Sequence, residues 1–129
     1  MWTALAGRGL TPARLARLEV KGRRTGTTIA LPVVVADYQG DRYLVSMLGH
    51  DTNWVRNVRA ADGRAILRRG CAETVRLVEV PPADRAPILR RYLECAPAAR
   101  THVPVDQRAS REAFEAVAAS YPVFRITPG

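Results

Sequence analysis

Glycine and proline divide this chain into segments that have the length of single strands or short helices. Turn signals fall at Gly22–Gly26, Gln39–Asp41, Asp62–Gly63, Gly70 and Pro81–Pro82, and such clusters end regular structure. The apolar runs and alternations between them are typical of strands. We expect a mainly β protein with helices (α+β), made of five or six short strands in antiparallel hairpins and three or four short helices. An antiparallel barrel is the natural closure of so many short strands.

The beginning of the chain, residues 1–16, is predicted to be a short helical segment. Thr11 has the character of an N-cap, and Pro12 would occupy the first helical position. Leu15 and Leu18 would lie three residues apart on this helix.

The clearest predicted strand is Thr27–Ala36, whose nearly continuous apolar run is typical of a strand buried on both faces. Pro32 cannot donate a ladder hydrogen bond, so an edge, a bulge or a ligand is expected there. The other predicted elements are a strand over Arg42–Met47 that pairs with it as a hairpin, a helix from Asp51 or Thr52 to Asp62–Gly63, strands over Arg64–Arg69 and Glu73–Val80, a helix over Asp84–Glu94, a helix capped by Ser110, and a strand over Val123–Thr127.

Length and charge limit the possible functions. With 129 residues the chain is long enough for one domain, expected over residues 1–129, and too short for two. Its 20 basic and 12 acidic residues give a formal charge of +8, which favours an anionic partner: nucleic acid, an anionic membrane, or a small molecule bearing phosphate or carboxylate. All basic residues except Lys21 are Arg, which suits bidentate anion binding but is equally expected from a GC-rich genome.

The expected compartment is the cytoplasm. The first ten residues lack the apolar run of a signal peptide, and no stretch approaches the roughly 18 apolar residues of a membrane span. Cys71 and Cys95 lie far apart without metal-type spacing, so two free thiols are expected.

No catalytic triad can be assembled, and no catalytic residue is assigned. The two histidines, His50 and His102, do not have the spacing of metal ligands, so no metal site is predicted. The acidic residues are scattered, without a pair of the glycosidase kind. Binding-type loops without a strong general base indicate chemistry performed by a bound cofactor.

The loop Gly22–Gly26 has the composition of an anion site. Glycine lets main-chain N–H groups approach a ligand, Arg23 and Arg24 can bind phosphate oxygens in a fork, and Thr25 adds a hydroxyl. The alternative is that the two arginines form an ordinary solvated turn.

A second candidate region runs from Ser46 to Asn57 and joins a strand end to a helix N-terminus through a glycine-bearing loop. Such a terminus favours an anion. Trp54 and Asn57 are three apart and share a helical face. Trp54 alone is typical of a core anchor, but Asn57 beside it is not, and a flat ring system with a phosphate tail would use both.

Several stretches together resemble the deazaflavin-dependent nitroreductase family, split-β-barrel proteins of actinobacteria that bind the deazaflavin coenzyme F-420. The matching stretches cover roughly residues 17–127 in the same order. They are Gly22–Gly26, Leu31-Pro32-Val33, Gly40-Asp41-Arg42-Tyr43, Asn53 to Ala60, and Tyr121-Pro122-Val123-Phe124-Arg125-Ile126.

The resemblance implies an antiparallel split β-barrel of the FMN-binding kind, with the coenzyme in a groove along the barrel. It places Arg23, Arg24 and Thr28 near the phosphate and acidic tail. On the strands beside the ring system it places Pro32, Val33, Ser46, Met47, Leu48 and Gly49. On the adjacent helix it places Asn53, Trp54 and Asn57.

The resemblance also implies an oxidoreductase that transfers a hydride between the coenzyme and a small quinone-like, nitro or unsaturated acceptor. His102 and Tyr121 are predicted to contact this substrate, on their position in the C-terminal region. The loop between Ser46 and Trp54 is shorter than in the family and lacks its usual lysine. Split barrels of this kind often dimerise, so a homodimer is among the expected forms.

Two other classes of function stay open. The barrel could bind FMN or another flavin, with or without catalysis, because both cofactors are planar rings that bear phosphate. A basic nucleic-acid-binding module is the less favoured alternative, and no nucleic-acid partner is predicted. Its weakness is the shortage of stacking residues, with two Trp, two Phe and four Tyr, most of them at core-type positions.

Overall fold

The computed structural model describes residues 14–96 and 110–129. The elements of these two ranges are β1 (Leu15–Lys21), β2 (Thr28–Val34), β3 (Ala36–Tyr38), β4 (Asp41–Val45), α1 (Asn53–Ala60), β5 (Arg64–Arg69), β6 (Cys71–Glu79), a 3-10 helix (Pro82–Asp84), α2 (Ala86–Cys95), α3 (Arg111–Ala118) and β7 (Val123–Pro128).

The strands form one antiparallel sheet in the order β2-β1-β5-β6-β7-β4-β3. Its two edge strands, β2 and β3, are consecutive in the chain and are separated only by Val35. The sheet therefore curls round so that its two edge strands are the two halves of one bent segment. Because β2 pairs with β1 and β3 pairs with β4, the barrel is split between β2 and β4.

Two hydrophobic cores result from the period-2 alternation of the strands. Leu44 points into the barrel, whereas Tyr43 and Val45 point outward against α2 and α3. The core inside the barrel also contains Val55 and Val58 of α1, which close the barrel. The strand that is buried on both faces is thus β4.

Tight turns join the strands where glycine allows a left-handed backbone. Gln39 and Gly40, between β3 and β4, both have positive φ, 50° and 85°, as in the two-residue turns typical of hairpins. Gly63, after α1, has φ 81°, and a side chain at this position would collide with the main chain of Leu77.

The predicted N-terminal helix is wrong for its described part. Leu15 begins strand β1, and the buried residues Leu18 and Val20 are two apart rather than three or four. Their alternation, with the paired strands β2 and β5 on either side, outweighs the helix-start signal of Thr11 and Pro12, which lie outside the described residues.

The predicted strand Thr27–Ala36 exists, but its predicted burial on both faces is wrong. It is divided at Val35 into β2 and β3, and β2 is an edge strand with mostly exposed or half-buried side chains. Pro32 lies on this edge, which is one of the three situations predicted from its missing N–H group. The apolar run therefore faces an opening rather than a second packed layer.

The remaining elements lie where the sequence predicted them, with shifted ends, but the predicted hairpin is only partly right, because β4 pairs with the short β3 whereas β2 pairs with β1. The described ranges contain seven strands rather than five or six. Strand β4 ends at Val45, two residues before the predicted end at Met47, and β6 begins at Cys71 rather than Glu73. A 3-10 turn precedes α2, which starts at Ala86. The Ser110 hydroxyl caps α3 by accepting a hydrogen bond from the Ala113 N–H. None of the helices in the described ranges is long and apolar enough to cross a membrane.

A candidate ligand-binding groove

The split between β2 and β4 opens into a groove of about 390 Å³, which is within the size range of small-molecule sites, about 300–1,000 Å³. Nearly all its walls are apolar, and one phenol interrupts them. The lining residues are Leu15, Leu31, Pro32, Val33, Val34, Leu44, Val45, Met47, Leu48, Trp54 and Tyr92. Five of these, Pro32, Val33, Met47, Leu48 and Trp54, are residues that the sequence predicted at the ring of a bound cofactor.

Two leucines at this groove are unusually exposed. Leu15 is 45% exposed and Leu48 is 73% exposed. Both line the groove, so its apolar wall is accessible to a ligand. The groove is thus better suited to a flat apolar ring than to a polar polymer.

The loop between β4 and α1 forms one wall of the groove and is held by polar contacts. The buried Ser46 hydroxyl donates to the Gly49 carbonyl over 2.7 Å, and the His50 ring nitrogen Nε2 lies 2.8 Å from the Ala119 carbonyl oxygen. Ser46 and Gly49, both predicted to contact the cofactor, therefore shape the loop rather than line the groove. The result is a fixed loop that presents Leu48 to solvent.

Helix α1 connects the groove to the arginine loop. Trp54 lines the groove and packs against Phe124, with ring centroids 5.6 Å apart. One turn further, Asn57 is only 2% exposed, and its side-chain oxygen accepts hydrogen bonds from the Arg23 N–H (3.1 Å) and from Arg23 Nη1 (2.8 Å). The two residues predicted to act together on one helical face thus contact two neighbouring parts of the candidate site.

The arginine loop is compact and hydrogen-bonded. The Gly22 N–H donates to the Thr27 carbonyl (2.8 Å), and the Gly26 N–H donates to the Gly22 carbonyl (2.9 Å). Arg24 is exposed and forms no hydrogen bond or ion pair with the residues that the structure describes. A rigid loop with an unneutralised guanidinium is suited to bind an anion.

Tyr92 is the one polar residue among the groove residues that the sequence did not predict. It lies on α2, is 7% exposed, and its hydroxyl has no hydrogen-bond partner within residues 14–96 and 110–129. Burial raises the pKa of Tyr92 to about 12, so the phenol stays protonated and can donate. It was missed because it sits on the apolar stripe of α2, where a tyrosine resembles any other core aromatic.

Three other predicted residues lie outside the groove. Thr28 lines a separate concavity near Lys21, and Asn53 is exposed at the start of α1. Tyr121 is half-buried against the core between the sheet and the outer helices. His102 lies outside the described residues.

A charge cluster around one buried arginine was also missed. Arg59 binds the Glu79 carboxylate through two hydrogen bonds of 3.0 and 2.7 Å, and the buried Arg85 binds it over 3.1 Å. The hydrogen bond from Arg59 holds the pKa of Glu79 below its usual range. Arg85 also donates to the Ala119 carbonyl that His50 contacts. The cluster therefore helps to hold the loop between β4 and α1, to which His50 belongs. Within the described ranges no group of histidine, cysteine and acidic side chains could hold a metal ion.

Comparison with known proteins identifies the fold. No family model and no curated protein matches this chain, but solved structures do. A protein of unknown function from Agrobacterium tumefaciens is 15% identical, with a TM-score of 0.66 over 90% of this chain and 49% of that chain; the chain spans about half the length of that protein.

Two further structures have names that refer to a cofactor. An F-420-H2 dependent reductase is 16% identical, with a TM-score of 0.61 over 88% of this chain and 93% of that chain. A FAD-binding protein from Mesorhizobium loti is 18% identical, with a TM-score of 0.52 over 90% of this chain and 81% of that chain. At these identities the likeness concerns the fold alone, and the fold is the antiparallel split β-barrel of the FMN-binding kind.

Proposed function

We propose that this protein is a deazaflavin-dependent oxidoreductase that binds coenzyme F-420 in the groove between β2 and β4. The observation that carries the proposal is the arrangement along α1. Trp54 faces an apolar groove, and Asn57, one turn away, holds an arginine loop. A coenzyme with a flat ring and a phosphate-bearing tail has the shape and charge that match this pair of surfaces.

The residues present fit such a group. Apolar side chains on both sides of the split, among them Pro32, Val33 and Met47, would contact the faces and edges of the ring. Arg24 and the guanidinium of Arg23 would bind the anionic tail, with Asn57 keeping Arg23 in place. When bound, the deazaflavin would supply or accept the hydride.

The remaining polar group of the groove would act on the substrate. Tyr92 lines the groove from α2, whereas the arginine loop is held through α1, the helix of Trp54. A protonated phenol there would donate to an oxygen of a quinone-like, nitro or unsaturated acceptor and would orient it. We propose no obligatory acid or base. A cytoplasmic location and a homodimer accompany this proposal.

A binding titration tests the proposal. Oxidised coenzyme F-420 is titrated with the purified protein while the deazaflavin fluorescence is followed, and we expect saturable quenching with a dissociation constant in the micromolar range. Arg24→Ala should weaken binding, and the loss should shrink at high salt, because screening reduces the contribution of an exposed charge. The matched control is Arg64→Ala, on β5 and away from the groove. Absence of a fluorescence change at tens of micromolar protein would contradict the proposal.

The second candidate function is binding of FMN or FAD in the same groove. The structural likeness to a FAD-binding protein favours it, and the apolar walls alone do not distinguish the two rings. Titrating FMN, FAD and the deazaflavin against one preparation separates the candidates. Affinity for a flavin at least tenfold above that for the deazaflavin would favour this second function.

A further inference from the structure

A second cavity lies on the far side of the β4–α2 contact from the groove. It has a volume of about 380 Å³ and shares no lining residue with the groove. Tyr43 lines this cavity, whereas Val45, two residues along β4, lines the groove. On α2, Ile88 lines it and Tyr92, one turn on, lines the groove. The two cavities are therefore neighbours separated by packed side chains.

Two polar groups in this cavity lack partners among the described residues. Tyr43 is 8% exposed, yet no described residue forms a hydrogen bond with its hydroxyl. Burial, followed by the nearby Asp41 carboxylate, raises the pKa of Tyr43, so the hydroxyl remains a donor. Arg125 is in register with Tyr43 across β4 and β7, which puts both side chains on one face, and forms no ion pair with the residues described. The Tyr43 hydroxyl can therefore donate to a ligand in this cavity.

The rest of the cavity lining combines aliphatic side chains with polar and charged ones. Val78, Val80 and Ile88 contribute to its walls. The carboxylate of Glu79 also lines it, but it is already bound by Arg59 and Arg85 and is thereby neutralised.

Asp84 and Arg111 also line the cavity. Arg111 itself lies 3.5 Å from Glu115. Among the described residues, Arg125 and Asp84 are the charged side chains of this cavity that form no ion pair; both are exposed, and Arg125 is the one that shares a sheet face with Tyr43.

From these contacts we infer a second ligand site, for a small organic carboxylate with one ring or a short apolar chain. The carboxylate would bind the Arg125 guanidinium and accept a hydrogen bond from the Tyr43 hydroxyl. The apolar part would pack against Val78, Val80 and Ile88. A charge-assisted contact, a phenol donor and neighbouring aliphatic side chains are the usual parts of a small-molecule site.

The test follows backbone amide signals by NMR while the protein is titrated with benzoate. We expect saturable shifts at Tyr43, Val80 and Ile88, with millimolar or tighter affinity. Benzamide, which has the same shape without the charge, should bind about tenfold more weakly, the usual contribution of a charge-assisted hydrogen bond.

Variants assign the two polar groups. Arg125→Gln should weaken benzoate binding about tenfold, and Tyr43→Phe several-fold. Arg64→Gln removes the same charge from β5, outside the cavity, and should leave the affinity unchanged. Because the Tyr43 hydroxyl has no partner in the described fold, Tyr43→Phe should not lower the free energy of unfolding, so weakened binding cannot be ascribed to misfolding.

Three results would overturn the inference. They are the absence of saturable shifts at millimolar benzoate, equal binding of benzoate and benzamide, and binding that Arg125→Gln leaves unchanged. Since this cavity and the groove share no residue, none of these results depends on whether the groove binds a deazaflavin.

Discussion

The bond between Asn57 and Arg23 is the contact on which the shape of the candidate tail site most depends, and its energy can be measured. Replacing Asn57 with Ala removes one acceptor that serves two donors, the Arg23 N–H and its Nη1. A net hydrogen bond contributes about 1 kcal/mol, and one to a charged group about 1.5–3 kcal/mol. Arg23 is only half-buried, so water recovers part of this loss.

We therefore expect Asn57→Ala to lower the free energy of unfolding by about 2–3 kcal/mol. This value already includes a gain of up to about 0.7 kcal/mol from the better helix propensity of alanine. Arg23→Ala should cost less, about 1 kcal/mol, because its main-chain N–H still binds Asn57. The double variant should be more stable than the sum of the single losses predicts. The coupling energy, about 1 kcal/mol, is the contribution of the guanidinium.

Urea unfolding of the four proteins, followed by tryptophan fluorescence, measures these values. With a slope of about 1–3 kcal/mol per molar urea, the Asn57→Ala midpoint should fall by about 1 M. Asn53→Ala is the matched control, since Asn53 is exposed on the same helix and its replacement should stay within about 0.5 kcal/mol. Additive losses from Asn57→Ala and Arg23→Ala would refute a direct energetic link between the helix and the loop.

Three further predictions concern the fold, the charge cluster and the groove. Gly63→Ala should lower the free energy of unfolding, measured in urea, by more than about 2 kcal/mol, because its methyl group would meet a facing main-chain carbonyl. Gly40→Ala has a similar φ but open space around it, so it should cost about 1 kcal/mol. Equal losses from the two variants would contradict the steric argument. The pKa of Glu79 is lowered chiefly by its hydrogen bond from Arg59. The ionised Glu79 should therefore stabilise the fold fully at pH values above 4.5, the ordinary pKa of glutamate, and this contribution should be lost as the pH falls below that value. Thermal unfolding against pH should accordingly show a flatter acid limb for Glu79→Gln, and an unchanged limb would contradict this origin. Tyr92→Phe should keep the unfolding free energy and reduce kcat/KM for a nitro or quinone acceptor about tenfold, and unchanged kinetics would remove Tyr92 from substrate binding.

The sequence was a good guide to elements whose burial follows from their own pattern. The alternation of Tyr43, Val45 and Met47 with the residues between them predicted the strand that is β4, and the Ser110 cap predicted the start of α3. The apolar run Thr27–Ala36 was assigned to a strand for sound reasons, but a run of apolar residues does not reveal whether both faces are covered by protein. Here one strand is bent at Val35, and its first half is left at an edge.

The candidate site was predictable where a residue contradicted its local pattern, and not where it agreed with it. Asn57, a polar residue in an apolar helical stripe, was singled out, and it does hold the arginine loop. Tyr92 and Tyr43 fit their apolar stripes, so nothing local distinguished them. Their hydroxyl groups stand out only when tertiary packing shows which neighbours are missing.

The position of Pro32 shows how the fold keeps its groove open. An exposed apolar edge strand tends to pair with another chain, and proteins limit this with features that interrupt the edge. Polar residues would also protect β2, but they would remove the apolar wall that Leu31, Pro32 and Val33 provide. Proline removes a main-chain donor while keeping an apolar surface. A proline at this edge therefore protects the strand from pairing with another chain and keeps the groove wall apolar. A site for a flat apolar ring requires such a wall.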